Sequence, residues 1–296
     1  MVGVDFGGTK IEAAALDEAG TPIVRKRLPT PGDYDSALHA VQELVRAIET
    51  QTANVDRVGV GAPGSISPKT GLLRNSNTIY LNGKPFAQDL ERALGKRIRL
   101  SNDANCLALS EAVDGAAAGA HSVFAVIIGT GCGGGLVVDG KLIHGANGIA
   151  GEWGHNPLPW PSVDEVKGAP RCWCGQIGCQ ELWISGTGLQ RDFFEAAGVR
   201  ATGEEIIAAS RRGESFAVAA FERYVDRLGR SLAAVVNLFD PHVIVLGGGM
   251  ANVDELYDRL PSLIKRHVFS DACTTRILQA RWGDSSGVRG AARLWA

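Results

Sequence analysis

The stretch Cys172-Trp173-Cys174-Gly175-Gln176-Ile177-Gly178-Cys179 holds three of the chain's six cysteines between glycines, and His155 lies upstream of it. Three thiolates and one imidazole make a complete tetrahedral zinc set. Cys172 and Cys174 stand too close in sequence to suit a disulfide, and the glycines let the backbone turn tightly round an ion. Three unrelated buried cysteines would be the plain alternative, but they would not cluster with this punctuation. Two carboxylates bracket the group: Glu152 stands three before His155, and Glu181 two after Cys179. A zinc ion here would fix both acids in place, as the foundation of a polar site rather than its reacting centre.

Two further stretches could hold phosphate. Asp5-Phe6-Gly7-Gly8-Thr9-Lys10 follows a strand-like start, and its turn offers backbone N–H groups, a hydroxyl and an ammonium. Asp5 could hold Mg²⁺, directly or through water. Gly129-Thr130-Gly131-Cys132-Gly133-Gly134-Gly135 follows the apolar run Ser122 to Ile128 in the same way. Neither turn has the G-x-x-x-x-G-K-[ST] spacing of a P-loop, and the first strand does not lead through G-x-G-x-x-G into a helix, which disfavours a Rossmann dinucleotide site. Gly247-Gly248-Gly249, where a strand meets a helix, leaves bare backbone on which a flat ring such as adenine could lie. Asp103, in Ser101-Asn102-Asp103-Ala104-Asn105, stands at a strand–helix junction; a helix cap is its ordinary role and a catalytic base the alternative.

The elements that must position these residues follow from periodicity. Strands are expected at Val2 to Phe6, Ile11 to Leu16, Ile23 to Leu28, Val58 to Gly61, Ile98 to Leu100, Ser122 to Ile128, Leu136 to Asp139, Val243 to Leu246 and Ile277 to Ala280. Leu38, Val41, Leu44, Val45 and Ile48 mark one helix face, and Phe221, Val225, Leu228, Leu232, Val235 and Val236 another. Helices are also expected from Asp103 to about Asp114, from about Val253 to His267 and from about Val288 to Trp295. Residues 63–83 read as a long polar excursion in which Asn75, Asn77 and Asn82 are better taken as solvated turn residues than as polyol contacts. Strand–turn–strand openings in both halves suggest two related α/β lobes.

Composition narrows the partners. A formal net charge of −2 with no run of Lys or Arg argues against nucleic acid or anionic membrane. No apolar run reaches the ~18 residues of a membrane span, and no signal peptide precedes Val2. A cytoplasmic location is expected, and a thiolate–zinc site suits a reducing compartment. Cys106, Cys132 and Cys273 read as small buried residues.

Taken together, the Asp5–Lys10 segment, Ser101 to Asn105, Gly129 to Gly135, Gly151 to His155, Cys172 to Glu181 and Val245 to Gly249 resemble the ROK family of sugar kinases, over essentially the whole chain. The resemblance implies the two-lobed actin/hexokinase-like (ribonuclease H-like) ATPase fold with a zinc-binding loop. A small lobe would span 1–117, completed by 284–296, and a large lobe 118–283. It implies Asp103 as general base, with Asn102, Glu152, His155 and Glu181 on the sugar hydroxyls. Zinc would be held by His155, Cys172, Cys174 and Cys179, so that His155 serves twice. Asp5, Gly7, Gly8, Thr9, Lys10, Thr130, Gly131, Cys132, Gly133 and Gly134 would hold ATP phosphates with catalytic Mg²⁺, and Gly247, Gly248 and Gly249 the nucleoside. In such kinases the lobes close on the sugar, and family members are often homodimers.

The loops Pro63 to Pro68, Tyr80 to Gly83, Gly151 to Trp160 and Gly283 to Gly290 resemble those of bacterial fructokinases that also accept mannose. D-Fructose, phosphorylated at O6, is therefore the expected substrate, with N-acetylglucosamine or glucose as the alternative within the family. A non-catalytic sugar-responsive regulator is the alternative of another class; the family's repressors carry a helix-turn-helix ahead of the kinase-like part, for which there is no room before Val2.

Overall fold

The computed structural model describes residues 1–52 and 55–296, and of Asp284 the backbone alone. In chain order the elements are β1 (Val2–Phe6), β2 (Lys10–Leu16), β3 (Pro22–Pro29), α1 (Tyr34–Glu49), β4 (Arg57–Ala62), β5 (Ser65–Ile66), β6 (Leu73–Arg74), α2 (Phe86–Leu94), β7 (Arg97–Asn102), α3 (Asp103–Val113), β8 (Ser122–Ile128), β9 (Cys132–Val138) and β10 (Lys141–Leu142). There follow α4 (Val163–Lys167), α5 (Glu181–Ile184), α6 (Gly186–Ala197), α7 (Gly203–Arg211), α8 (Ser215–Phe239), β11 (Val243–Gly247), α9 (Glu255–Lys265), β12 (Arg276–Gln279) and α10 (Ser286–Arg293). Among the described residues no helix is long and apolar enough to cross a membrane.

Two five-stranded sheets carry the molecule, ordered β3-β2-β1-β4-β7 and β10-β9-β8-β11-β12. Counted along the chain within each half, the two orders are the same, as the repeated strand–turn–strand opening suggests. In the first, β2 runs antiparallel to β1 and β3, while β1, β4 and β7 are parallel. In the second, β10 is antiparallel to β9, while β8, β11 and β12 are parallel. The parallel strands β8 and β11 are buried almost throughout, which is why they read as unbroken apolar runs rather than alternating ones.

The chain divides into two compact units: Met1–Gly119 with Gly135–Gly151 and Arg281–Ala296, and Ala120–Gly134 with Glu152–Ala280. In the first, Val4, Phe6, Val58 and Val60 of the sheet pack with Val41, Leu44, Val45 and Ile48 of α1. That helix is started by Asp33, whose carboxylate accepts from the Ser36 N–H. The C-terminal α10 returns to this unit and packs Val288 and Ala292 on Ala14 and Leu16 of β2.

In the second unit α8 is the central support. Its apolar stripe, including Phe221, Val225, Leu228 and Leu232, is buried, and so are two of its arginines. Arg227 pairs with Glu165 and Asp192, and Arg230 with Glu165 and Asp226. Arg230 also donates to the carbonyls of Pro159 and Trp160, pinning the segment that leads from His155 to α4.

The structure differs from the periodicity reading in several places. β9 starts at Cys132, inside the glycine run, because small residues do not interrupt a buried ladder, and Leu136 lies in its middle. After β11 comes a 3-10 turn, Gly249–Asn252, before the helix begins at Glu255. The chain turns helical after the cysteine segment, as its sequence suggests, while the short α2 and α4 are not marked by periodicity.

Candidate functional site

The cysteine segment closes on itself through backbone hydrogen bonds. The Cys172 N–H donates to the Gln176 carbonyl at 2.8 Å, and Gly175 N–H to the Cys172 carbonyl at 3.0 Å, so both cysteines sit on one tight turn. Isolated bridges join Arg171 to Ile177 and Pro157 to Cys179. The ligand atoms of His155, Cys172, Cys174 and Cys179 all lie within 4.8 Å of one another. Cys174 Sγ is 3.6 Å from Cys179 Sγ, and Cys172 Sγ is 3.7 Å from His155 Nδ1. A tetrahedral ion with Zn–S distances near 2.3 Å sets its donors about 3.8 Å apart, so the set fits zinc; a disulfide would need sulfurs about 2 Å apart. All six cysteines are free thiols, and Cys273 is half-buried rather than fully buried as expected.

Glu181 opens α5 directly after the cysteine segment. Its Oε2 accepts the Cys132 backbone N–H at 3.1 Å, and its Oε1 accepts the Trp173 indole N–H at 3.0 Å. A carboxylate has further lone pairs, so Glu181 can still accept from a ligand hydroxyl. A Cβ at Gly131 would lie 2.7 Å from Glu181 Oε2, so a side chain there would push the carboxylate aside. Glu152 precedes the 3-10 turn Trp153–His155. Trp153 donates from its indole to the Gly133 carbonyl, and a Cβ at Gly154 would lie 2.3 Å from the Cys132 carbonyl. Thus His155, Glu181, the three cysteines and the glycine turn after β8 form one connected group within the second unit, and Glu152 adjoins it in sequence.

Beside that turn is a cavity of about 400 Å³, lined among others by Gly129, Thr130, Thr187, Gln190, Ile207 and Met250. The Gly186 N–H donates to the Gly129 carbonyl at 2.8 Å, and the Thr187 hydroxyl to the Thr130 carbonyl at 2.6 Å, so α6 starts at the turn. Gly249 also lines the cavity, whereas Gly247 and Gly248 are not among its lining residues. The lining from α6 and α7 was missed in the sequence; the only signals were the Ser185-Gly186-Thr187 and Thr202-Gly203-Glu204 helix starts, which any capped helix has.

In the first unit, Asn102 is the cap of α3, its side chain accepting the Ala104 N–H at 2.8 Å. Asp103 is the first helical residue, and its carboxylate accepts the same N–H at 2.8 Å. The capping duty is therefore shared and does not consume the Asp103 carboxyl. Burial pushes the Asp103 carboxyl above the usual carboxylate range, outweighing the hydrogen bonds from Ala104 and Asn102. The buried Cys106 thiol, one turn along α3, is raised by its own burial and then by the charges of Asp5 and Asp103. Asp5 lies on β1, in register with Glu12 on one side and Gly61 on the other. The Gly7-Gly8-Thr9 turn is closed by the Gly7 N–H on the Lys10 carbonyl and steadied by Thr30, whose hydroxyl donates to the Gly7 carbonyl at 2.7 Å.

A model of the ROK family matches residues 1–296. The chain belongs to the ROK family. It is 42% identical to an N-acetyl-D-glucosamine kinase of Pectobacterium atrosepticum, with 99% of this chain and 97% of the relative aligned. It is 40% identical to an N-acetyl-D-glucosamine kinase of Vibrio cholerae, over 99% and 98%. A ROK family glucokinase from Streptomyces griseus, solved in complex with glucose and AMPPNP, superposes with a TM-score of 0.83 at 30% identity, over 99% of this chain and 98% of that one. The two-lobed α/β fold is that of the family's sugar kinases, and the chain is a sugar phosphotransferase of this kind.

Several residues of the loops that pointed to fructose are engaged within the fold. Tyr80 donates its hydroxyl to the Pro31 carbonyl. Asn82 accepts the Ser76 N–H and donates to the Ser76 carbonyl, and Leu81 is buried. Trp160 stacks on His267. In the last of these loops, Gly283 to Gly290, the Asp284 side chain is outside the described residues. Side chains spent in this way give no ground for choosing among hexoses.

Proposed function

We propose that the chain transfers the γ-phosphoryl group of ATP to the 6-hydroxyl of N-acetyl-D-glucosamine. The observation that carries this reading is the 42% identity, across nearly all of both chains, to a kinase of that sugar. Fructose, expected from the loops, has no comparable support.

Each residue's part follows from its chemistry. Asp103 takes the proton of the attacking hydroxyl. Its pKa, raised by burial, suits a base, since proton affinity grows with pKa. Asn102, Glu152, His155 and Glu181 accept or donate to the remaining hydroxyls, which orients the sugar and favours the one hydroxyl over water. The N–H groups of the turns at Gly7 to Lys10 and Thr130 to Gly134 receive the charged phosphates. Asp5 would hold Mg²⁺, which neutralises charge on the transferring group. His155 with Cys172, Cys174 and Cys179 would hold a structural Zn²⁺, and that ion fixes the segment on which Glu181 is carried. The cavity beside Thr130 receives the nucleoside.

The test is an assay of purified protein with Mg-ATP and a panel of hexoses, with product position read by NMR. Phosphate on O6 of N-acetylglucosamine supports the proposal; phosphorylation confined to fructose and mannose restores the other substrate.

A further inference from the structure

The cavity beside the glycine turn has a direction. Thr187 bonds the Thr130 carbonyl, so the start of α6 marks the phosphate end. Gln190, a turn further along α6, lines the cavity too. On α7, Glu204, Ile207 and Arg211 line it at helical spacing, on one face. An adjoining cavity of about 550 Å³ is lined by Thr187 and Gln190 of α6 and by Thr202 and Glu205 at the start of α7. The start of α7 therefore lies beside the first turns of α6. Glu204, two residues after Thr202, is at that start, and Ile207 and Arg211 follow along α7, with Met250 and Val253 also lining the cavity.

The polar residues around this cavity differ in what they are already doing. Glu205 accepts the Thr202 N–H at 2.7 Å, in the capping box that starts α7. Glu255 takes a two-pronged pair with Arg211, at 2.7 and 2.8 Å. Asn252 accepts from Gln279 at 3.2 Å. Glu204 makes no hydrogen bond or ion pair with any described residue, yet it lines the cavity.

A carboxylate only accepts hydrogen bonds. It repels phosphate. The part of a nucleotide that follows the phosphates and offers two adjacent donors is the ribose, through its 2′- and 3′-hydroxyls, and their spacing matches the two oxygens of one carboxylate. The apolar Ile207, Met250 and Val253 further in suit the flat base. We infer that Glu204 recognises the ribose diol, making the chain selective for ribonucleotides over deoxyribonucleotides. This rests on the nucleotide-site reading above. A glutamate in the first turn of a helix is also favourable to the helix dipole alone, and that role would not sense the sugar of a nucleotide.

The experiment is calorimetric titration of ADP, 2′-deoxy-ADP and 3′-deoxy-ADP into the wild-type chain and Glu204→Ala, without any sugar present, with thermal melts of both proteins. The wild type is expected to bind each deoxy analogue about tenfold more weakly than ADP, the usual worth of a hydrogen bond to a charged group. Glu204→Ala should bind all three alike, within about twofold. Equal binding of the three by the wild type, or a ribose preference that survives in Glu204→Ala, overturns the inference. So does a chain that binds no ADP, and that result sinks the nucleotide-site reading with it. Ribose-selective binding by a chain that phosphorylates no tested sugar supports the inference and sinks only the reaction assigned above.

Discussion

The Cys132 N–H donates to Glu181 Oε2 at 3.1 Å, tying the residue that follows the cysteine segment to the turn after β8. One carboxylate thus couples the proposed zinc support to the turn proposed to receive phosphate, and a disturbance of either should be felt at the other.

Gly131→Ala and Gly154→Ala test that coupling. The added methyl at 131 meets the Glu181 carboxylate, which can swing aside and lose its bond to Cys132. At 154 it meets the Cys132 backbone carbonyl, which cannot. Gly154→Ala is expected to cost about 2–4 kcal/mol of stability in denaturant unfolding, as an overpacked site does. Gly131→Ala should melt close to wild type but raise the sugar KM several-fold. The reverse order of the two melting temperatures would contradict the packing described.

Asp103→Asn should retain sugar affinity and lose roughly 10²–10⁴ in kcat, the usual contribution of a general base. The pKa of this carboxyl is raised by burial, so the acid limb of kcat/KM should fall at a pH above that of an ordinary aspartate. The variant's residual activity should lack that limb. A variant with near-normal kcat would remove Asp103 from the mechanism.

Much of this site was legible because its residues are fixed by chemistry rather than packing. The cysteine and histidine positions follow from ligand type and spacing alone, and the four side chains do come together. Asp103 was harder, since a strand–helix junction asks for a cap anyway. The structure divides the labour, with Asn102 as the cap and Asp103 one residue inside the helix. The nucleoside cavity was not legible. Its walls come from α6 and α7, whose residues Thr187, Gln190 and Glu204 meet only in three dimensions and carry no local signature. Nor was the sugar, because the loop Tyr80 to Gly83, whose resemblance pointed to fructose, spends Tyr80 on Pro31 and Asn82 on Ser76.

Zinc content is a separate prediction. Protein purified without chelator should contain about one zinc per chain by elemental analysis. Cys174→Ser, the most exposed of the three thiols, should lower zinc content, melting temperature and sugar affinity together. Zinc-free protein with unchanged melting temperature would contradict the donor set's assignment.

Glu165 supplies a pH test of the framework beneath the site. Burial raises its carboxyl, but hydrogen bonds from Arg230 and Arg227 and from the Ser162 N–H outweigh that and bring it down to about 2. Because the folded value lies below the unfolded one, its stabilisation is complete above the ordinary glutamate range and fades as pH falls from about 4.5 toward 2. Glu165→Gln should therefore cost about 1–3 kcal/mol at pH 7. The gap between variant and wild type should close on acidification, as followed by urea unfolding from pH 7 to 3. A gap that does not narrow would show that the pair with Arg230 is not what holds this segment.

The central claim concerns the sugar, and one measurement bears on it most directly: kcat/KM for N-acetyl-D-glucosamine, D-glucose, D-mannose and D-fructose, side by side with saturating Mg-ATP. N-Acetylglucosamine should exceed fructose by at least about tenfold, the discrimination that one well-matched polar group gives. A fructose value equal to or above that of N-acetylglucosamine would contradict the substrate assigned here.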